Sequence, residues 1–140
     1  MIAIDLDAIG DTRPLWSDWL ADAARVLEVD GLADDRIAAA AELDARGAGN
    51  WRTLLERFAE DRAPVYLRPS ADVSATLRAL QAEGRSLVVF TDAPGELARV
   101  ALAQLGAARR IDRVEVGPPP HGAETVVTSR AELLRLRRSS

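Results

Sequence analysis

Ile2, Ala3 and Ile4 make a short apolar run that stops abruptly at Asp5, Leu6 and Asp7, where two carboxylates stand one residue apart. The run predicts a buried strand finished by residues 5–7. In a strand, alternate side chains share a face, so Asp5 and Asp7 point the same way unless the chain turns, and Gly10 and Asp11 signal a turn. Thr12 then caps a helix with Pro14 in its first turn. Trp16, Trp19, Leu20, Ala23, Ala24 and Leu27 recur at three- and four-residue steps and give that helix one apolar stripe, up to a break at Gly31. Residues 32–46 predict an alanine-rich helix with Ile37, Ala41 and Ala45 inward, ended by Gly47 and Gly49. Asn50 caps a third helix striped by Trp51, Leu54, Leu55 and Phe58, and Pro64 and Pro69 mark a change of direction. The three tryptophans all fall in this helical stretch, where they fit the small core of an insertion better than a substrate lid.

From Ser70 the pattern changes. Ser70 caps a helix carrying Val73, Leu77 and Leu80, Gly84 closes it, and LVVFT is a buried strand. A turn at residues 92–95 leads into a helix striped by Leu97, Val100, Ala101, Gln104 and Leu105. VEV within residues 111–117 and TVVT at residues 125–128 are two further short strands. Ser129 and Glu132 have capping-box spacing for a last helix through Leu133, Leu134 and Leu136, and the basic tail after Arg137 is expected to fray. Strand, helical insertion, then helix, strand, helix, strand is the grammar of an α/β protein with a parallel sheet. With LVVFT beside IAIDLD, Thr91 ends level with Asp5, and a hydroxyl and two carboxylates share the crevice where open α/β sheets place their ligands.

Composition narrows the functional classes. The 140 residues suit one domain with a real core, and 48% hydrophobic with 29% charged residues is ordinary for a soluble globular chain. A net charge of -4 gives no basic footprint for nucleic acid, and no apolar run is long enough to span a bilayer. The opening strand is not a secretory leader, so the cytoplasm is the expected location. Cysteine is absent, which removes disulfides, thiolate ligands and a thiol nucleophile. Lysine is absent too: the 18 basic residues are all arginine, which supplies fixed charge but cannot act as an acid or base. His121 is the single histidine.

IAIDLDAIGDT resembles the first motif of the haloacid dehalogenase superfamily, Asp-x-Asp followed by a turn, and LVVFTDAP resembles its second, an apolar strand ending in Ser or Thr. The segment from YLRPS to VEVG is similar throughout to the surroundings of that second motif, and the helical stretch stands where the family has its cap. The resemblance implies a Rossmann-like parallel sheet of about four strands, one fewer than usual, with residues 1–12 and 67–140 as core and 13–66 as cap. It implies Asp5 as nucleophile, Asp7 as general acid and base, Thr91 as phosphate-binding hydroxyl, and Mg²⁺ held by Asp5 and Asp7. The reaction would be hydrolysis of a small phosphorylated metabolite through an aspartyl phosphate.

The main departures from the family's pattern fall in one place. The third motif's lysine has no counterpart, and the fourth motif's acidic strand end is missing. Only PPPHGAE separates Gly117 from Thr125, and GAETVVTSRAELLRL resembles the family's terminal strand and helix, as after a deletion. Ile9 and Gly10 also replace the usual first-motif residues. Mg²⁺ is generally held through one or two carboxylates with water and phosphate, and losing one preorganised electrostatic group costs roughly a hundredfold or more in rate. The expectation is therefore a phosphatase-like hydrolase with weak or lost activity and weak or absent Mg²⁺. The alternative is a non-catalytic binding or interaction module whose exposed sheet surface serves a partner or a second copy in a homodimer. A dehalogenase ranks last, because that subgroup lacks the second aspartate.

Asp11, Asp92, His121 and Glu124 are the candidate substitute ligands, each read more readily as a cap or solvated loop residue. His121 and Glu124 lie on the connection leaving the C-terminal edge of the sheet and could fold over the crevice; Arg130 could add charge but is expected to be exposed. A parallel crossover ordinarily needs a dozen or more residues, whereas seven extended residues reach about 23 Å. Hence TVVT either fills the slot beside IAIDLD, which the resemblance favours, turns back on VEV, or exchanges with another chain.

Overall fold

A computed structural model describes residues 1–138, with side chains through Arg137. The elements run β1 (Ile2–Asp5), α1 (Leu6–Ile9), α2 (Arg13–Val26), α3 (Arg36–Ala45), α4 (Trp51–Tyr66), α5 (Ala71–Ala82), β2 (Leu87–Thr91), α6 (Gly95–Gln104), β3 (Arg113–Val116), β4 (Thr125–Val127) and α7 (Arg130–Arg138), with a short 3₁₀ turn at Ala108–Arg110. The four strands form one parallel sheet in the order β3-β2-β1-β4, flanked by helices. Among the described residues no helix is long and apolar enough to cross a membrane. The expected fraying of the tail falls, for residues 139 and 140, outside the described residues.

The two central strands explain their own sequences. Buried on both faces, β2 is apolar throughout except for Thr91, and Ile2, Ala3 and Ile4 of β1 are fully enclosed. Ile2, Ile4, Leu87 and Val89 meet Val73, Leu77 and Leu80 of α5, Ala98 and Ala101 of α6 and Leu133 of α7 in one core. A second core lies within the insertion, where Trp16, Trp19 and Trp51 meet as tilted rings with centroids 5.2 and 5.9 Å apart beside Leu43 and Leu55, and Ala93 and Leu97 join it to the sheet domain.

The strand beginning at Thr125 pairs parallel with β1, Ile2 beside Thr125 and Ile4 beside Val127, so it fills the slot next to the first strand. The connection from Gly117 passes from one edge of the sheet to the other. Three interstrand steps are about 14 Å sideways and a four-residue strand about 13 Å back, which an extended seven-residue segment spans without a helix. The connection delivers Glu124 to the opposite end of the sheet from Asp5: its N–H donates to the Met1 carbonyl, and its carboxylate pairs with the Met1 amine at 3.3 Å and Arg85 at 3.5 Å. Glu124 therefore does not fold over the crevice. His121 is exposed and makes no hydrogen bond or ion pair among the described residues, and Arg130, also exposed, donates to Ser70 Oγ.

Three local expectations are corrected. The strand stops at Asp5, and Leu6 opens a helical turn, so Asp5 and Asp7 do not alternate along one strand. Pro64 sits inside the last turns of α4, which runs on to Tyr66. On α3 the inward face is Arg36, Ala39 and Leu43, while Ile37, Ala41 and Ala45 are exposed. An alanine-rich helix has little apolar contrast between its faces, so its rotation is decided by the one side chain with a strong partner.

Candidate functional site

The crevice lies at the C-terminal ends of β1 and β2. Asp5 is opposite Phe90 in the register, which puts Thr91 one residue further along the neighbouring strand. Asp5 leaves β1 in an extended conformation and caps α1, its Oδ1 accepting the Asp7 N–H at 2.9 Å. Its second oxygen has no hydrogen bond or ion pair among the described residues. Burial pushes the Asp5 carboxyl above the usual carboxylate range, and the nearby Asp7 adds to the rise, against the Asp7 N–H and the charges of Arg13 and Arg36. Gly10, just after α1, is pressed against Leu105 at the end of α6; a Cβ there would stand 2.6 Å from Leu105 Cδ1.

Thr91 is 2% exposed, and its hydroxyl accepts the Ala93 N–H at 3.1 Å, so it closes the turn after β2. Asp7 is more heavily engaged. Its Oδ1 accepts from both the N–H and the hydroxyl of Thr12, at 3.0 and 2.7 Å, and its Oδ2 faces Arg36 at 3.0 Å and Arg13 at 3.4 Å. Thr12 accordingly uses its side chain on Asp7 instead of capping α2, although it is the residue before that helix.

The organising side chain is Arg36, at the first position of α3 and only 1% exposed. Its Nη2 donates to Asp7, its Nη1 donates to the Thr12 hydroxyl at 2.6 Å, and its Nε donates to Asp92 Oδ1 at 2.9 Å, with Nη2 2.8 Å from the same oxygen. A planar guanidinium with fixed donors suits such a junction better than an ammonium would. Burial by itself would raise the Asp92 carboxyl, but the hydrogen bond and charge of Arg36 outweigh it and hold the group below the usual range. The insertion is thus pinned to the ends of β1 and β2 by one buried cation between two carboxylates.

Of the residues singled out from sequence, Asp5, Asp7 and Thr91 come to the same end of the sheet, and Asp92 joins them through Arg36. Asp11 is exposed and turns back to accept the Arg13 N–H. Arg36 itself was missed, since a lone arginine in a helix ordinarily reads as a solvated charge. Its signal was its phase: it lies three and seven residues before Ala39 and Leu43, in line with the only leucine of that helix.

Both oxygens of Asp7 and one of Asp92 already face the guanidinium or Thr12, and no group of three or more acidic, histidine or cysteine side chains able to hold a metal ion occurs among the described residues. No family model, curated protein or solved structure matches this chain.

Proposed function

We propose that the chain is a haloacid dehalogenase-like, phosphatase-type hydrolase with an incomplete active site, in which hydrolysis of a small phosphomonoester through an aspartyl phosphate is weak or lost, with its expected place in the cytoplasm. Asp5 is the nucleophile of this scheme, Asp7 the acid and base, and Thr91 the phosphate-binding hydroxyl; Mg²⁺ is bound weakly or not at all. The observation that carries the reading is the buried Arg36 bridging Asp7 and Asp92. It leaves an oxygen of Asp5 unengaged, as a nucleophile requires, while committing both oxygens of Asp7 to donors of the protein, so none is left to serve a leaving oxygen or a water. It also supplies positive charge where the sequence offers no lysine, but in a form already neutralised by two carboxylates.

The same feature favours a second reading, a non-catalytic binding module, because all three nitrogens of Arg36 are turned to Asp7, Thr12 and Asp92 within the fold. Titration of the protein with Mg²⁺ and beryllofluoride, followed by calorimetry and compared with Asp5→Asn, separates the two. The hydrolase reading expects saturable binding at millimolar metal that disappears in Asp5→Asn, with slow aryl phosphate hydrolysis lost in the same variant. Absence of binding and of Asp5-dependent hydrolysis supports the module. Tight binding at micromolar Mg²⁺ with rapid turnover would overturn the proposal that the site is incomplete.

A further inference from the structure

β3 is an outermost strand of the sheet, paired on one side with β2 and, among the described residues, with no strand on the other. Its two valines are unusually open for a strand: Val114 is 37% and Val116 52% exposed. They border a groove of about 390 Å³ whose wall continues through Ile111 and Leu102. Long-range stability of the sheet does not need these valines, since neither belongs to the two cores. An open strand rim with apolar side chains is a template for another strand unless something blocks it.

The charges on this strand say which strand would fit. β3 reads Arg113, Val114, Glu115, Val116, with the arginine and the glutamate two residues apart and hence on one face of the sheet. In an antiparallel pair related by a two-fold axis at Val114, each Arg113 stands directly opposite the other copy's Glu115, and the two Val114 side chains meet on the other face. Axes at Arg113 or at Glu115 would instead oppose like charges, which is destabilising for directly facing residues. Arg113 and Glu115 already pair within the strand at 3.2 Å, at about half exposure, so in the dimer the two intrastrand contacts, one in each copy, are exchanged for two between copies.

We propose that β3 is the homodimerisation edge of this protein, pairing antiparallel with β3 of a second copy about an axis at Val114 and extending the sheet to eight strands. Such an interface is isologous, as two-fold dimers require. It also lies next to the crevice: Val116 stands 3.9 Å from the position of a Cβ on Gly95, and it shares a cleft with Asp92, Pro94 and Ile37.

Sedimentation velocity over micromolar to submillimolar protein tests the pairing by charge exchange. R113E and E115R each place like charges across the axis, and each is expected to sediment as a monomer at concentrations where the unchanged chain is a dimer. An equimolar mixture of the two restores opposite charges at both positions, so a 1:1 dimer returns, and the double variant R113E/E115R dimerises with itself. Arg113 and Glu115 are both about half exposed, so circular dichroism should show both single variants folded. A chain that stays monomeric throughout the range overturns the proposal, as does a dimer that either single variant leaves intact, or a mixture that fails to reassociate.

Discussion

The sheet and the helical insertion are held by different means. Around β1 and β2 the contacts are apolar and close-packed, and Ile2, Ile4, Leu87 and Val89 are wholly enclosed. The insertion has its own aromatic core and an apolar seam to the sheet domain through Ala93 and Leu97, and over the crevice it is tied as well by Arg36, a buried cation that must find acceptors there or remain unsatisfied. Apolar packing tolerates small shifts of angle, whereas a guanidinium fork accepts few geometries. The start of α3 over the crevice is therefore more sensitive to a single substitution than the apolar seam between the insertion and the sheet domain.

Substitutions rank this contrast by size. Leu87→Ala, at the centre of the sheet, should cost about 4 kcal/mol by opening a cavity that its neighbours cannot fill, read from urea unfolding. Arg36→Ala should cost about 3 kcal/mol, because Asp7 and Asp92 lose the cation between them. Hydrogen exchange should then show faster opening in α2 and α3 with the sheet amides little changed; uniform exchange across both regions would remove the distinction.

The two crevice carboxylates with shifted proton affinities predict opposite pH responses. Asp92 is lowered, so its contribution is present above the unfolded carboxylate value near 3.8 and is lost as pH falls through its lower folded value. Asp92→Asn should flatten the acid side of the stability profile below that pH. Asp5 is raised, so the folded chain holds its proton longer and stability declines as pH climbs from near 3.8 through the folded value. Asp5→Asn keeps an acceptor for the Asp7 N–H and should stabilise the chain at neutral pH, a smaller change of the opposite sign. Last, Ile37→Lys should shift stability by no more than about 0.5 kcal/mol, since Ile37 is 42% exposed although it directly follows Arg36.

Legibility from sequence follows the same division. The central strands announced themselves because burial on both faces demands unbroken apolar runs, and the parallel order followed from the alternation of strands and helices. Capping chemistry at Ser70 and at Ser129 with Glu132 was readable for the same local reason. The rotation of α3 was not, because Ala38 to Ala41 offer nearly equal faces and the deciding contact lies with residues distant in the chain. Thr12 and Asp92 were read as cap and turn residues; their coupling through Arg36 exists only once the insertion folds back. The helical turn at Leu6 was hidden by Leu6 itself, an apolar residue that continues the strand pattern while facing the core.

The position of β1 bears on how the chain can fold. Ile2 takes its neighbours from Leu87 on one side and Thr125 on the other, so the opening segment has no strand partner until residue 87 and gains its second only at residue 125. Closing loops of that span comes before any reward from pairing, which slows folding. During this interval Ile2, Ala3 and Ile4, wholly enclosed in the finished sheet, stay open to solvent.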